Sequence, residues 1–172
     1  YAGLYNVINR CNFMLDRVDR VRNNTTDDKD LDKLDQCCGE AYFARAIAYS
    51  ELVKMFCKAY EKAVLLTPTE ENAANQLGVI LTKHYQGNEE MKRASLKASY
   101  EFILEDLDRA AQLLALDKDY DPSVDGALFN NATYFNEYTV YALRARVALY
   151  MRKWDEAIKY SSKVIDSEYY LL

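Results

Sequence analysis

Asp117, Asp119 and Asp121 take the 1-3-5 positions at which an EF-hand loop presents oxygen ligands to calcium. The match stops there. Pro122 stands where the loop needs Gly for its turn, and Leu128 where it needs a bidentate Glu, so the stretch reads as a solvated acidic loop. Other chemistry is equally sparse. Ser, His and Asp assemble into neither G-x-S-x-G nor H-E-x-x-H, so no hydrolase nucleophile or zinc-peptidase pair is spelled out. The single His, His84, falls in an expected loop among charged neighbours and reads as exposed. Gly39, Gly78, Gly87 and Gly126 are isolated, which leaves no Gly-rich cradle for phosphate. Carboxylates are plentiful, but spacing does not separate a glycosidase pair from a solvated helix face. Cys11, Cys37, Cys38 and Cys57 form no C-x-x-C pair and are expected in helices as small apolar fillers; whether two of them are bridged stays open. No catalytic residue, metal ligand or cofactor is expected.

Fifteen tyrosines are the unusual feature, and aromatic faces can stack on sugar rings. Tyr5, Tyr42, Tyr49, Tyr100 and Tyr141 fall on helical apolar stripes, where core packing is the stronger claim. Tyr85, Tyr120 and Tyr134 lie in expected loops and are the ones left to meet a ligand.

The elements that carry these residues are helical. Half of the 172 residues are apolar, 28% are charged, and five Gly with two Pro starve β-turns. A net charge of −5 argues against a phosphate-backbone partner, so no nucleic acid is expected. No apolar run approaches the ~18 residues of a membrane span. A first helix presents Leu4, Tyr5, Ile8, Leu15 and Val18 on one face, with Asn12 set among them; a buried Asn needs partners from a neighbouring segment. The polar run 23–30 reads as a loop. A long second helix runs from Leu31 through Leu34, Cys38, Ala41, Tyr42, Tyr49 and Leu52 to Phe56, and Arg45 lies on its apolar stripe. A guanidinium there calls for a carboxylate, and Asp106, flanking the stripe of a later helix, is the expected partner. Thr67-Pro68-Thr69-Glu70 has the form of a helix start. Val79–Leu81 reads as extended. The cleanest helix, about Leu96 to Leu114, has Ser95 as its N-cap and an unbroken stripe of Tyr100, Ile103, Leu104, Leu107, Ala110, Ala111 and Leu114.

Residues 135–165 form a closing hairpin. Its first helix carries a small-residue stripe of Ala142, Ala145 and Ala148 with Tyr141 and Leu149. Its second has Trp154, Ala157, Ile158, Ser161, Val164 and Ile165 on one face, and the only Trp is expected to be packed at the corner where the helices meet. The whole is expected to be one all-α unit, residues 1–172: tetratricopeptide-like hairpins forming an α-α superhelix, with at most a short extended pairing.

Several motifs together resemble the SusD/RagB family of Bacteroidetes outer-membrane nutrient-binding lipoproteins. They are Tyr5-x-x-Ile8-x-x-x-Asn12, Gly39-Glu40-Ala41-x-Phe43-x-Arg45-Ala46-x-x-Tyr49, Leu77-Gly78-Val79-Ile80-Leu81, and Arg93-Ala94-Ser95 followed by Tyr100-x-x-Ile103-x-x-Asp106-Leu107. The closing hairpin adds Ala142-Leu143-x-Ala145-Arg146 and Trp154-x-x-Ala157. The chain departs from the family at Ile80, where Pro is usual, and at Cys57, where Gly is frequent. The resemblance implies a non-enzymatic surface receptor that hands glycans or other oligomeric nutrients to a TonB-dependent, SusC-like transporter at the outer membrane. It further implies that this chain is the helical scaffold part of a longer protein, with the signal peptide, lipid-bearing Cys and second half outside it; Cys11, mid-helix, is not that Cys. The alternatives are a self-contained tetratricopeptide adaptor for a protein or peptide partner and, less favoured, a glycan-processing enzyme.

Overall fold

A computed structural model describes residues 2–60, 75–87, 91–115 and 135–167. The described elements are α1 (Ala2–Leu15), α2 (Val18–Arg22), α3 (Asp28–Phe56), β1 (Leu77–Ile80), β2 (Arg93–Ser95), α4 (Leu96–Leu113), α5 (Glu137–Tyr150) and α6 (Trp154–Ile165). The fold is the expected mostly helical one with a single short extended pairing. The sequence expectations at 67–70 and 117–128 lie outside the described residues.

Side chains set the helix ends. Asp27 accepts from the backbone N–H groups of Lys29 and Asp30 and starts α3 three residues ahead of Leu31. The run expected as loop is therefore shorter, and a separate turn of helix, α2, precedes it. Ser95 caps α4 through Ala98 N–H at 3.0 Å, and Asn136 caps α5 through Thr139 N–H at 3.1 Å. Between α5 and α6 the chain reverses at Arg152, whose φ of 57° is left-handed. Lys153 N–H then reaches back to the Ala148 carbonyl at 2.9 Å and closes α5 in a Schellman-type turn.

The core lies where α1, α3, α4 and α5 meet. Ile8, Tyr49, Leu52, Leu96, Ile103, Leu107 and Val140 are fully enclosed there. α3 and α4 form the central pair, with α1 on one side and the α5–α6 hairpin on the other. All four cysteines are free thiols.

Two expectations for the hairpin fail. The core face of α5 is Val140, Leu143, Val147 and Met151; of the alanine stripe Ala148 is buried, Ala145 half-buried and Ala142 exposed, and Leu149 is exposed. α5 has to meet the α3–α4 pair and α6 at once. Its larger side chains take the deeper contact and leave the alanines to the shallower one. Trp154 is not packed at the corner. It is 56% exposed, with Ile158 at 64% and Ile165 at 69% on the same face. α6 turns its half-buried residues Ala157, Tyr160, Ser161 and Val164 toward α5, and among the described residues that contact leaves Trp154, Ile158 and Ile165 beside it exposed.

β1 and β2 pair antiparallel, Leu77 opposite Ser95 and Ile80 opposite Arg93, with an irregularity between. Gly78 is required at this crossing. A Cβ there would meet the Ser99 hydroxyl and the Ser95 carbonyl, and that hydroxyl accepts from Val79 N–H at 3.1 Å. Gly78→Ala is expected to destabilise by ~1–3 kcal/mol through overpacking. Gly3→Ala in α1, where a Cβ meets nothing within 4 Å, is expected to be neutral or slightly stabilising. Urea unfolding of the two variants beside the parent measures both.

Candidate functional site

The centre of the molecule is polar. Arg45, on the buried stripe of α3, is 6% exposed, and Asp106 of α4 is 2% exposed. The guanidinium forks onto the carboxylate: Nε donates to Oδ2 at 2.8 Å and Nη2 to Oδ1 at 2.7 Å. Nη1 donates to Oδ1 of Asn12, on α1, at 2.6 Å. The guanidinium also lies 5.0 Å from the Phe102 ring centre and 5.5 Å from that of Tyr42. Burial works against charge on both partners. It raises the pKa of Asp106 against the pull of Arg45. At Arg45 burial is outweighed by the hydrogen bonds and charge of Asp106, and the guanidinium is held more firmly protonated than usual.

Asn12 is a relay. Its Nδ2 donates to the Thr82 carbonyl at 2.9 Å. The Tyr49 hydroxyl accepts from Thr82 N–H at 2.9 Å, and the Tyr5 hydroxyl donates to the Ile80 carbonyl at 2.9 Å. The strand exit at 80–82 is thus pinned to α1 and α3. Sequence spacing marks Arg45, Asp106 and Asn12. It misses Thr82, whose only signal is its position just beyond the extended Val79–Leu81.

Two clefts flank this network. One, of about 320 Å³, has Arg45 and Asp106 in its lining with Phe102, Lys83, His84 and Glu105. The other, of about 400 Å³, runs past Asp19, Arg22, Asp35 and Gln112. Leu15, Tyr42 and Arg109 line both, and the Arg109 guanidinium lies 5.8 Å from the Tyr42 ring centre. Arg22 is paired with Asp35. Such a lining offers donors, acceptors and the aromatic rings of Tyr42 and Phe102, which suits binding. It brings no nucleophile to a base. The buried thiols are poor nucleophiles as well, since burial raises the pKa of Cys11 and pushes that of Cys38 up to about 11. Among the described residues no three His, Cys, Asp or Glu side chains come together as a metal site.

Tyr85, next in the chain to His84 of the cleft lining, is half-buried and edge-on to Phe13 at 5.0 Å. Its backbone N–H donates to Asp16 Oδ2 at 2.7 Å, and His84 Nδ1 meets Asp16 Oδ1 at 2.9 Å. The loop is thereby fastened to the end of α1. Tyr120 and Tyr134 lie outside the described residues. Trp154 is on α6, remote in the fold from the buried network.

Removing one partner of the Arg45–Asp106 pair leaves a charge without its counterion. Asp106→Ala is expected to cost ~3–5 kcal/mol in urea unfolding, while Arg45→Met with Asp106→Leu recovers a large part of that loss. At Asp16 burial works to raise the carboxyl pKa, but the Tyr85 N–H and His84 outweigh it and hold it below its ordinary 3.8. A folded value below the unfolded one means the contact contributes fully above about 3.8 and is lost as pH falls through the folded value. The Tyr85 amide proton resonance should titrate with a midpoint below 3.8, and Asp16→Asn should abolish that step.

Residues 1–149 match the model of a family described as starch-binding and associating with the outer membrane. No curated protein sequence matches the chain significantly. Among solved structures, a SusD superfamily protein from Bacteroides vulgatus superposes with a TM-score of 0.71 at 23% identity, over 100% of this chain and 34% of that one. A SusD-like carbohydrate-binding protein from the same species gives 0.69 at 23% identity, over 98% and 31%. A laminarin-binding SusD-like protein gives 0.65 at 21% identity, over 95% and 29%. The chain therefore spans about a third of the length of the structures it matches. With the family model matched over residues 1–149 and this fold shared across nearly all of its length, the chain belongs to the SusD-like family.

Proposed function

We propose that this chain is the helical scaffold part of a longer, non-enzymatic cell-surface lipoprotein that binds glycans or other oligomeric nutrients and works with a TonB-dependent, SusC-like transporter at the outer membrane. The observation that carries the reading is the family match over residues 1–149, whose description joins starch binding to the outer membrane. The site chemistry supports it. The charged groups at the centre are spent on one another, Arg45 on Asp106 and Asn12, and hold the helices in place. The two clefts beside them carry hydrogen-bonding groups around Tyr42 without a catalytic pair. Tyr85, Tyr120 and Tyr134 remain the proposed ligand-facing aromatics. The lipid anchor and much of the glycan surface belong, on this reading, to the rest of the parent protein.

The test is titration calorimetry with starch and laminarin oligosaccharides, run on the whole reading frame and on residues 1–172. Saturable binding by the whole protein with little or none by residues 1–172 is expected. A whole protein that binds no glycan, or that turns the glycan over, overturns the reading. Co-purification of the whole protein with a TonB-dependent transporter tests the partnership.

A further inference from the structure

Three cations crowd one tyrosine ring where α5 meets α6. The Arg144 guanidinium lies 4.6 Å from the Tyr160 ring centre, and the ammonium groups of Lys159 and Lys163 lie 5.5 and 5.7 Å from it. Lys163 also stands 4.4 Å from the Tyr141 ring centre. A ring draws each cation through its quadrupole, modestly at an exposed site. That attraction leaves the mutual repulsion of the cations unanswered. Lys159 and Lys163 stand one turn apart on α6, a spacing at which like charges weaken a helix. The carboxylates nearby are committed elsewhere. Asp108 pairs with Arg144, Glu156 with Lys153, and Glu137 accepts from the Tyr141 hydroxyl at 2.9 Å. Asp155 and Asp166 are exposed on the same helix, yet among the described residues neither Lys159 nor Lys163 has a carboxylate within ion-pair distance. Arg144 spends one terminal nitrogen on Asp108, while its enclosed Nε has no partner among the described residues.

We propose that Lys159, Lys163 and Arg144, gathered about Tyr160, form a binding site for one oxyanion, a sulfate or carboxylate carried by an acidic glycan. The proposal rests on the reading of the protein as a glycan receptor, and it names a ligand class that the uncharged starch and laminarin leave out. Both lysines are exposed, so the site is open to solvent. An ammonium group offers three rotatable donors, and its hydrogen bonds to an oxyanion are charge-assisted. The oxyanion supplies the negative charge that the described residues withhold from the two lysines. Tyr141 and Tyr160, both half-buried, add ring surface beside it for the sugar that bears the charge. A nucleic acid fits less well. The cluster matches a single charged substituent, and a net charge of −5 opposes a long phosphate backbone.

Lys159→Gln with Lys163→Gln, made in the whole reading frame, removes two exposed charges and no core side chain. Titration calorimetry compares the parent, this variant and a charge-keeping one, Lys159→Arg with Lys163→Arg. The probes are a sulfated carrageenan oligosaccharide, a galacturonate oligosaccharide, a neutral laminarin oligosaccharide and sodium sulfate. At least one acidic oligosaccharide should bind the parent and the arginine variant alike. The glutamine variant should bind it about tenfold or more weakly, the loss of one charge-assisted hydrogen bond. That binding should also fall as salt rises through ~0.1 M, where exposed charges become screened. The neutral probe should not distinguish the three proteins. Acidic oligosaccharides that bind the parent and the glutamine variant equally overturn the site. So does a whole protein that binds the neutral probe and neither acidic one, and in both cases the glycan reading stands. Sodium sulfate bound through the two lysines by a protein that takes up no oligosaccharide overturns the acidic glycan as occupant, and the glycan reading with it.

Discussion

A charge in the middle of the core dictates how the helices of this chain meet. Arg45 cannot shed its proton and is largely shut off from water, so its donors need acceptors inside the protein. A planar guanidinium accepts those partners only from fixed directions. Asp106 has to present both oxygens in the plane, which sets the rotation of α4 against α3. Asn12 has to present its carbonyl oxygen to Nη1, which sets the rotation of α1. An apolar core of the same volume would tolerate a slipped helix far better. The network therefore contributes more to the uniqueness of the packing than to its net stability, since burying the pair costs much of what the pairing returns.

The same demand for partners passes outward. Once Asn12 has its oxygen on Arg45, its amide nitrogen is committed to Thr82, and Tyr49 closes on both sides of that residue. An irregular strand exit, which would otherwise bury unpaired backbone groups, is held by side chains from two helices. The loop that follows, with Lys83 and His84, is thus placed along one cleft, while Asp16 fastens the next residue, Tyr85. The clefts lie directly against the most constrained part of the molecule, an arrangement that gives a binding surface rigid walls at no further ordering cost.

How far the sequence reveals this depends on how local each cause is. Ser95 as a cap, the stripe of α4 and the extended Val79–Leu81 are visible because residue type and spacing within a few positions decide them. Arg45 stands out because a charge on an apolar stripe has few structural solutions, and Asp106 because it flanks another stripe. Thr82 is not visible, since its role is carried mainly by backbone atoms that any residue would supply. The exposure of Trp154 is hidden for a different reason. Helical spacing reports that a face is apolar and is silent on whether anything lies opposite. The alanine stripe of α5 misleads likewise, because one helix with two neighbours divides its side chains by depth.

The two ends of the chain therefore differ in what holds them. Around α1, α3 and α4 a directional network fixes the helices to one another, and a local opening there would expose a charged pair as well as apolar surface. At α6 the attachment is shallow, made by Ala157, Ser161 and Val164 and by rings and cations, with Tyr160 against Tyr141 at 5.7 Å and Lys163 over Tyr141 at 4.4 Å. Contacts of that kind are worth ~0.5–1.5 kcal/mol each and are undirected enough to slide. The polar tie of α5, Arg144 to Asp108 of α4, lies at the surface on the Asp108 side, and the same guanidinium lies 4.6 Å from the Tyr160 ring centre on α6. With no buried residue of its own, α6 has the features of an element of low local stability.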